Sequence, residues 1–482
     1  MSSRHFFLTP LTLGLLVTLG LSGNSVAYSQ TQGAVIPKAP ASSTAQKNQS
    51  NKPAAQEDGP VAVTPRSNES KAAPETPKPL KENQLGSFGF PLLNNKGELA
   101  FTTRYVSAKG EGGYGSAILL RKADGTWDFV RDGDKGSDFP AAILSMNHVS
   151  LNDNGDLTFT GTLNMKSPAF KVSGSEQDAS SSLRQSGIFT KTAAGLKMIY
   201  SMGQEIPNNP ATYIGFATAS MNTKGTMSFI GTYTDPDGRG LFILDNGKLS
   251  IVARSGQKTP AGEETQYTEH FYPSTINERG EVPFFCRVSG GGAIFVRRPG
   301  KGIEAIAIQD QPSPIKGSNY IGFGNRTPTI SNSGIVAFAG FIDGEKSGRL
   351  LFLKGDGPTT VAVRSGDTVP GMTATFTDFF MPSVNSKGEV AFVANYASRA
   401  RGVFVKTAEG IEPIAMYERP VPGLDSKDER NVFNNFVNPV INDNGDVAFM
   451  AQLRNSTVGI FYKKKGEPLK MIARTGDPAP FK

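Results

Sequence analysis

Seven copies of one short pattern punctuate this chain. The pattern reads apolar residue, Asn, two variable residues, Gly, a variable residue, an apolar residue, a small residue, Phe, with Pro283 in place of the small residue in the fourth copy and Ser331 in place of Asn in the fifth. The copies fall at 94–101, 152–159, 222–229, 277–284, 331–338, 385–392 and 442–449. Their glycines are Gly97, Gly155, Gly225, Gly280, Gly334, Gly388 and Gly445, and their phenylalanines Phe101, Phe159, Phe229, Phe284, Phe338, Phe392 and Phe449. Successive glycines are 58, 70, 55, 54, 54 and 57 residues apart. A period of this length means one supersecondary unit copied many times, because a single unit cannot bury its own apolar faces.

Within a unit, Asn-x-x-Gly separates two apolar runs, and Asn and Gly tolerate the left-handed backbone of a tight hairpin turn. Two further strand signals follow. One is a Gly-apolar-Phe run, as in Gly187-Ile188-Phe189, Gly240-Leu241-Phe242, Gly402-Val403-Phe404 and Gly459-Ile460-Phe461. The other ends in Arg-x-Gly-Asp or Arg-x-Gly-Gln, with arginines at 131, 254, 364 and 474. A proline that cannot continue a strand comes soon afterwards, at 207, 260, 314, 370 and 480. No segment has a helical period. Each unit thus reads as four short strands. In the run after the glycine, Val390 and Phe392 face one way and Ala391 and Val393 the other, so both faces are apolar. A sheet with one face in water would alternate. The expected fold is therefore all-β: a seven-bladed β-propeller of four-stranded antiparallel blades, spanning 86–482. A β-solenoid has shorter coils, and tandem sandwiches need longer units. Which strand opens a blade, and how the ring closes, stay open.

The ends carry different signals. Residues 1–27 read as a secretory signal peptide, with Arg4 ahead of an apolar run and Ser25-Val26-Ala27 as a small-x-small cleavage site, so cleavage is expected after Ala27. Residues 28–85 are rich in Ala, Pro, Ser, Gln, Asn and Lys, and Tyr28 is their only aromatic. Such a segment buries too little apolar surface to offset its ordering entropy. It is expected to be a disordered tail with a reach of roughly 45 Å, either a spacer or a tether. A periplasmic or secreted monomer follows, with no stable membrane span after cleavage.

Chemistry is sparse. His148 and His270 lack partners at metal-ligand spacing. Cys286 is the only cysteine, so no intrachain disulfide is possible, and its place beside Phe284 and Phe285 suits a buried small side chain. No nucleophile elbow, phosphate loop or zincin helix occurs. No catalytic, metal or cofactor residue is therefore assigned. Acidic turns at 153–156, 235–238 and 443–446 can be turn chemistry or calcium ligands, although they lack the terminal acid of an EF-hand loop. The four recurring arginines could form an axial ring for an anion or pair within their own turns. A net charge of +7 favours anionic surfaces, but no basic run with interleaved aromatics supports nucleic-acid binding.

The Asn-x-x-Gly-x-x-Ala-Phe repeat, clearest at 385–392 and 442–449, resembles a family of secreted bacterial tandem-repeat proteins named for that motif. The resemblance covers about 86–482 and implies a bacterial, exported setting without a catalytic residue. The functional expectation is a non-catalytic binding or scaffold module of the cell envelope, whose partner is an unknown envelope protein or glycan. A propeller hydrolase or lyase acting on polysaccharide is the alternative. The insertion at about 163–186 is the leading candidate for a binding loop, followed by 262–269 and 422–434. Two carboxylates within about 5–10 Å at the axial opening, a spacing suited to glycoside cleavage, would favour the enzyme. A hydroxyl and apolar lining would favour the binder.

Overall fold

The computed structural model describes residues 80–481 except 108–112, 140, 166–182, 207–208, 235–237, 345–346 and 398–399. Signal region, most of the tail and most of the second unit's insertion therefore lie outside the described residues. Seven antiparallel sheets follow one another along the chain with no helix among them. The blades span 85–131, 142–201, 205–254, 267–308, 320–364, 376–416 and 433–474. The fold is a seven-bladed β-propeller. Strands within each blade pair in sequence order, from an inner strand at the axis to an outer strand at the rim.

The hairpin after the inner strand is the Asn-x-x-Gly turn. In blade 6 Gly388 donates to the Asn385 carbonyl at 3.0 Å and Asn385 donates to the Glu389 carbonyl at 3.1 Å. Gly388 sits at φ 77°. This is a type I turn closed by a glycine in the left-handed region, which a side chain would strain. The repeat asparagine itself is not left-handed. Its side chain has another task, described below.

Second strands are buried on both faces, as in Val390–Tyr396. All seven repeat phenylalanines are buried. In blades 2 to 7 each stacks on a phenylalanine of the third strand, with centroids 5.2 to 5.7 Å apart. Blade 1 differs, since Phe101 faces Leu119 and takes the edge of Trp127 at 6.0 Å. Each hydrophobic cluster joins neighbouring blades. One unites Val390, Phe392 and Phe404 of blade 6 with Leu351 and Val363 of blade 5. Apolar burial at both faces is the main favourable contribution to such a stack.

Ring closure uses no exchanged strand. At each junction a residue after the outer strand and one near the start of the next inner strand exchange backbone hydrogen bonds. Gly366 donates to the Phe376 carbonyl at 2.8 Å, and Phe376 to the Asp367 carbonyl at 2.9 Å. The seventh junction has the same form between the two chain ends. Gly476 donates to the Leu85 carbonyl at 2.8 Å, and Leu85 to the Asp477 carbonyl at 2.9 Å. Ala479 adds a bond to the Asn83 carbonyl at 2.7 Å. Residues 83–85, placed in the tail by composition, are thus part of the ring. Phe481 completes it by packing on Tyr105 at 4.7 Å and Phe129 at 5.0 Å.

The repeat asparagines form a second closure, around the axis. Each side-chain oxygen accepts from two backbone N–H groups of its own turn, as Asn385 does from Lys387 and Glu389. Each side-chain nitrogen donates to the backbone carbonyl of the next repeat position. The links are Asn94 to 152, Asn152 to 222, Asn222 to 277, Asn277 to 331, Asn385 to 442 and Asn442 back to 94, at 2.9 to 3.3 Å. Ser331 has no amide nitrogen to make the remaining link, and Ser333 instead reaches the Ser386 carbonyl at 3.0 Å. Asn385→Ala is expected to cost about 1–3 kcal/mol, because it strips partners from two N–H groups, a carbonyl and Glu389. Ser331→Ala, lacking the inter-blade bond, should cost less. Urea midpoints of the two variants measure the difference.

Candidate functional site

A cavity of about 330 Å³ lies on the axis, lined by the ends of all seven inner strands. Two residues before the repeat position, blades 2 to 6 place a hydroxyl there: Ser150, Ser220, Thr275, Thr329 and Ser383. Leu93, Leu151, Met221, Ile276, Ile330, Val384 and Ile441 supply apolar lining. Several hydroxyls are committed between blades. Ser220 accepts from the Ile276 N–H at 2.9 Å, Ser383 from the Ile441 N–H at 3.2 Å, and Thr329 donates to the Pro382 carbonyl at 3.1 Å.

Three carboxylates ring the end of this bore formed by the Asn-x-x-Gly turns: Asp153, Glu278 and Asp443. Asp153 accepts from the backbone and side-chain nitrogens of Asn95, at 2.7 and 2.8 Å. Asp443 accepts from the Ser386 N–H at 2.7 Å and from the Asn95 amide at 3.2 Å. Both acids therefore touch one amide nitrogen, which bounds the gap between their nearest oxygens at about 6 Å. Glu278 accepts from the Thr223 N–H at 3.1 and 3.2 Å. Each carboxylate thus reaches back to the preceding blade and clasps its turn. A carboxylate pair is present at the axis, but every oxygen of Asp153 and Asp443 already holds a donor.

The other acidic turn residues are held in the same way. Asp156 and Asp446 accept from the amides of Asn152 and Asn442, each at 3.1 Å. Glu389 accepts from Asn385 at 2.6 Å and Lys465 at 2.9 Å. Burial would raise its pKa, yet these two bonds hold it below the ordinary carboxylate range. Among the described residues, no group of three or more His, Cys, Asp or Glu is placed to hold a metal ion. Cys286 is buried, and desolvation pushes its thiol up to about 12, which leaves little thiolate at neutral pH.

The recurring arginines do not form an axial ring. They end outer strands, at the rim. The Asp134, Asp367 and Asp477 carboxylates accept from the backbone N–H groups of Arg131, Arg364 and Arg474 at 2.7 to 2.9 Å, and Gln257 does the same for Arg254 at 3.2 Å. Arg131 lies over the rings of Phe129 and Phe481, at 5.8 and 5.5 Å.

The opposite end of the bore is built differently. There the inner strands begin, and there all blade-to-blade loops and all loops between second and third strands must lie, because strands alternate in direction. Loops 262–269 and 422–434 and the two ends of the insertion at 163–186 share this end. Inner strands carry register shifts just after the residue that makes the junction bonds, in blades 2, 3, 5, 6 and 7 among others. The extra residue of such a bulge is re-aimed away from the ladder. In blades 2, 3 and 5 it is Leu144, Ile214 or Ile321, with 39, 44 and 51% of its surface exposed. A second irregularity lies halfway along, where His148, Thr218 and Asn438 take φ of 48°, 47° and 35°. Non-glycine residues in this region are uncommon, and β-branched Thr218 especially so.

At the same end, third strands of blades 3, 5 and 6 carry arginine as their second residue, Arg239, Arg349 and Arg401, at one register position opposite Thr232, Phe341 and Asn395. Arg349 pairs with Asp378 of the next blade and lies over Phe341 at 4.9 Å. Arg401 donates to Asn395 and to Asn435 of the next blade, each at 2.8 Å, and covers the Phe380 ring at 4.1 Å. Arg239 has no hydrogen bond at its buried Nε. His148 keeps an exposed surface, yet desolvation by the surrounding protein, followed by the charge of Arg239, holds its pKa below the ordinary imidazole value. None of these arginines was singled out in the sequence. Their signal was present, since Arg239 and Arg401 directly precede Gly-Leu-Phe and Gly-Val-Phe runs.

A family model matches residues 41–293 and again 180–481, so that the two matches together run along nearly the whole chain. It describes a family of unknown function, DUF7453. This chain belongs to that family. No curated protein sequence matches. Similar solved structures include an acylaminoacyl peptidase of Pyrococcus horikoshii, at 12% identity over 77% of this chain and 58% of the peptidase, with a TM-score of 0.35. A polysaccharide lyase, Uly1, is 9% identical over 82% of this chain and 90% of the lyase, with a TM-score of 0.39. A periplasmic gluconolactonase of Pseudomonas aeruginosa is 14% identical over 81% of this chain and 97% of its own, with a TM-score of 0.35. This chain spans under two thirds of the peptidase.

Proposed function

We propose that this family member is an exported, non-catalytic binding module of the bacterial cell envelope. One contrast carries the reading. At the Asn-x-x-Gly end, the polar groups described above are spent on holding blades together. At the other end, exposed apolar side chains sit among loops that differ from blade to blade. Sites grafted on a repeated scaffold use the positions where the repeats diverge. A hydrolase or lyase needs acid or base groups free to exchange protons with substrate. Each oxygen of the carboxylate pair Asp153 and Asp443 is already tied to a main-chain or amide donor of a neighbouring blade, which supports a structural use of the pair. The exported setting rests on the leader-like residues 1–27 and the repeat itself. Purified protein mixed with envelope polysaccharide fractions is expected to retain a glycan and release it unchanged in length and saturation. Accumulation of shortened or unsaturated products would overturn the reading.

A further inference from the structure

The axial cavity is lined by polar side chains of two kinds. Ser220, Thr329 and Ser383 are spent on the ring, each bonded to the next blade. Ser274 and Thr275 of blade 4 and Asn438 of blade 7 line the same cavity, and their side chains make no hydrogen bond among the described residues. Thr275 is exposed, and Ser274 and Asn438 are half-buried. Blades 4 and 7 stand three places apart in a ring of seven, so these groups face each other across the bore. Blades 1 and 6, which flank blade 7, add Phe90 and Met381 at the repeat position of Asn438, four residues before the repeat asparagine. Inner-strand pairing breaks there, between Leu85–Phe88 and Leu92–Leu93 and between Phe376–Phe379 and Ser383–Val384. Pro91, Pro382 and Pro439 come next and withhold a main-chain donor from the ladder. Freed from the ladder, Phe90 keeps 46% of its surface exposed. Asn438 holds a left-handed φ of 35°, and strained backbone of this kind clusters where ligands are held.

This lining selects its occupant. A water-exposed aromatic face, with an amide beside it and hydroxyls opposite, matches a sugar ring, which has an apolar C–H face and hydroxyls around its edge. Among the described side chains no lysine, arginine or histidine lines the cavity, and Asp153, Glu278 and Asp443 stand at one end of it. Like charge there disfavours an anion. The volume of about 330 Å³ is near the lower bound of ligand pockets, roughly 300–1,000 Å³, and suits one sugar unit rather than a chain. A unit that enters a bore along its axis is the end of a chain.

We propose that the axial bore binds the uncharged terminal sugar unit of a glycan chain, with the apolar face of the sugar on Phe90 and its hydroxyls on Asn438, Ser274 and Thr275. The assignment deepens the binding reading above and rests on it. Isothermal titration of the full chain with cellotriose, mannotriose and galactotriose tests it. At least one of the three is expected to bind. The same trisaccharide ending in a uronic acid should bind at least about tenfold more weakly. Phe90→Ala should weaken the neutral trisaccharide by about tenfold, and Phe90→Tyr, which keeps the ring, by less. Thr275→Val and Asn438→Gly should each weaken it by about threefold to tenfold, the glycine being at ease with the left-handed backbone. Lys248→Gln, on the outer strand of blade 3, should change nothing. Circular dichroism and urea midpoints confirm that each variant is folded.

No binding of any of the three, equal or tighter binding of the acid-ended form, or wild-type affinity in Phe90→Ala, Thr275→Val and Asn438→Gly alike would overturn the assignment. If envelope polysaccharide is still retained in such a case, the binding reading survives and its site lies elsewhere on the ring. If neither polysaccharide nor trisaccharide is held, both fall. Cleavage of a bound trisaccharide would instead overturn the non-catalytic reading and leave the site standing.

Discussion

Phe392→Ala is expected to destabilise the protein by about 3–5 kcal/mol, read from the shift of its urea midpoint. Phe392 is fully buried at the centre of blade 6. It stacks on Phe404 at 5.7 Å and takes the ring edges of Phe376 at 5.9 Å and Phe379 at 5.8 Å. It also packs into the cluster shared with Leu351 and Val363 of blade 5. Truncation leaves a void walled by second-strand and third-strand main chain, which the ladders hold in place and cannot collapse. Phe392→Leu keeps most of the volume and should cost less. An unchanged midpoint in the alanine variant would show that the stacked pair does not support the blade.

Removing residues 477–482 should be comparably damaging, at about 3–5 kcal/mol, through loss of the closing hydrogen bonds and of an aromatic anchor. The deletion strips the bonds from Leu85 to Asp477 and from Ala479 to Asn83. It also removes Phe481 from Tyr105, Phe129 and Arg131. The open ring then exposes one face each of blades 1 and 7. Amide exchange separates this from a uniform loss. Protection should fall most in 85–131 and 433–474, and least in 320–364 across the ring. Uniform exchange in all blades would mean that closure by the chain ends contributes little. A chain with residues 81 and 481 joined by a short linker, and opened between 258 and 266, should keep its stability, since the seventh junction repeats the bonding of the other six.

The fold was legible because its determinants are local and repeated. Gly388 marks a turn that a side chain would strain, and the apolar run 390–394 marks a strand buried on both faces. Seven copies of such marks leave few architectures. The role of the repeat asparagine was only half legible. A turn preference is visible in one copy, whereas the bond from Asn385 to the residue 442 carbonyl exists only once blades are set side by side. The same holds for Asp153 and Asp443. Their spacing in sequence suits a turn or a cation, and the donors they accept from come from the preceding blade.

Arg131, Arg254, Arg364 and Arg474 recur on four of the seven blades, and the structure puts them at the rim, in turn positions. Arg239, Arg349 and Arg401 recur on only three blades, and the structure sets them at one register position of the third strands. Recurrence in all seven copies, as of the turn glycine and the buried phenylalanine, reports what every blade needs, and that need is structural. Departure from the repeat reports what one place in the ring does. The sequence by itself determined the all-β repeat, the number of blades, the turns and the buried phenylalanines, because each depends on residues near one another in the chain. Tertiary structure alone decided the phase of the blade, the closure between residues 83–85 and 476–479, and which side chains meet at the axis. Those depend on contacts between residues whole blades apart, whose partners become defined only when the ring is complete.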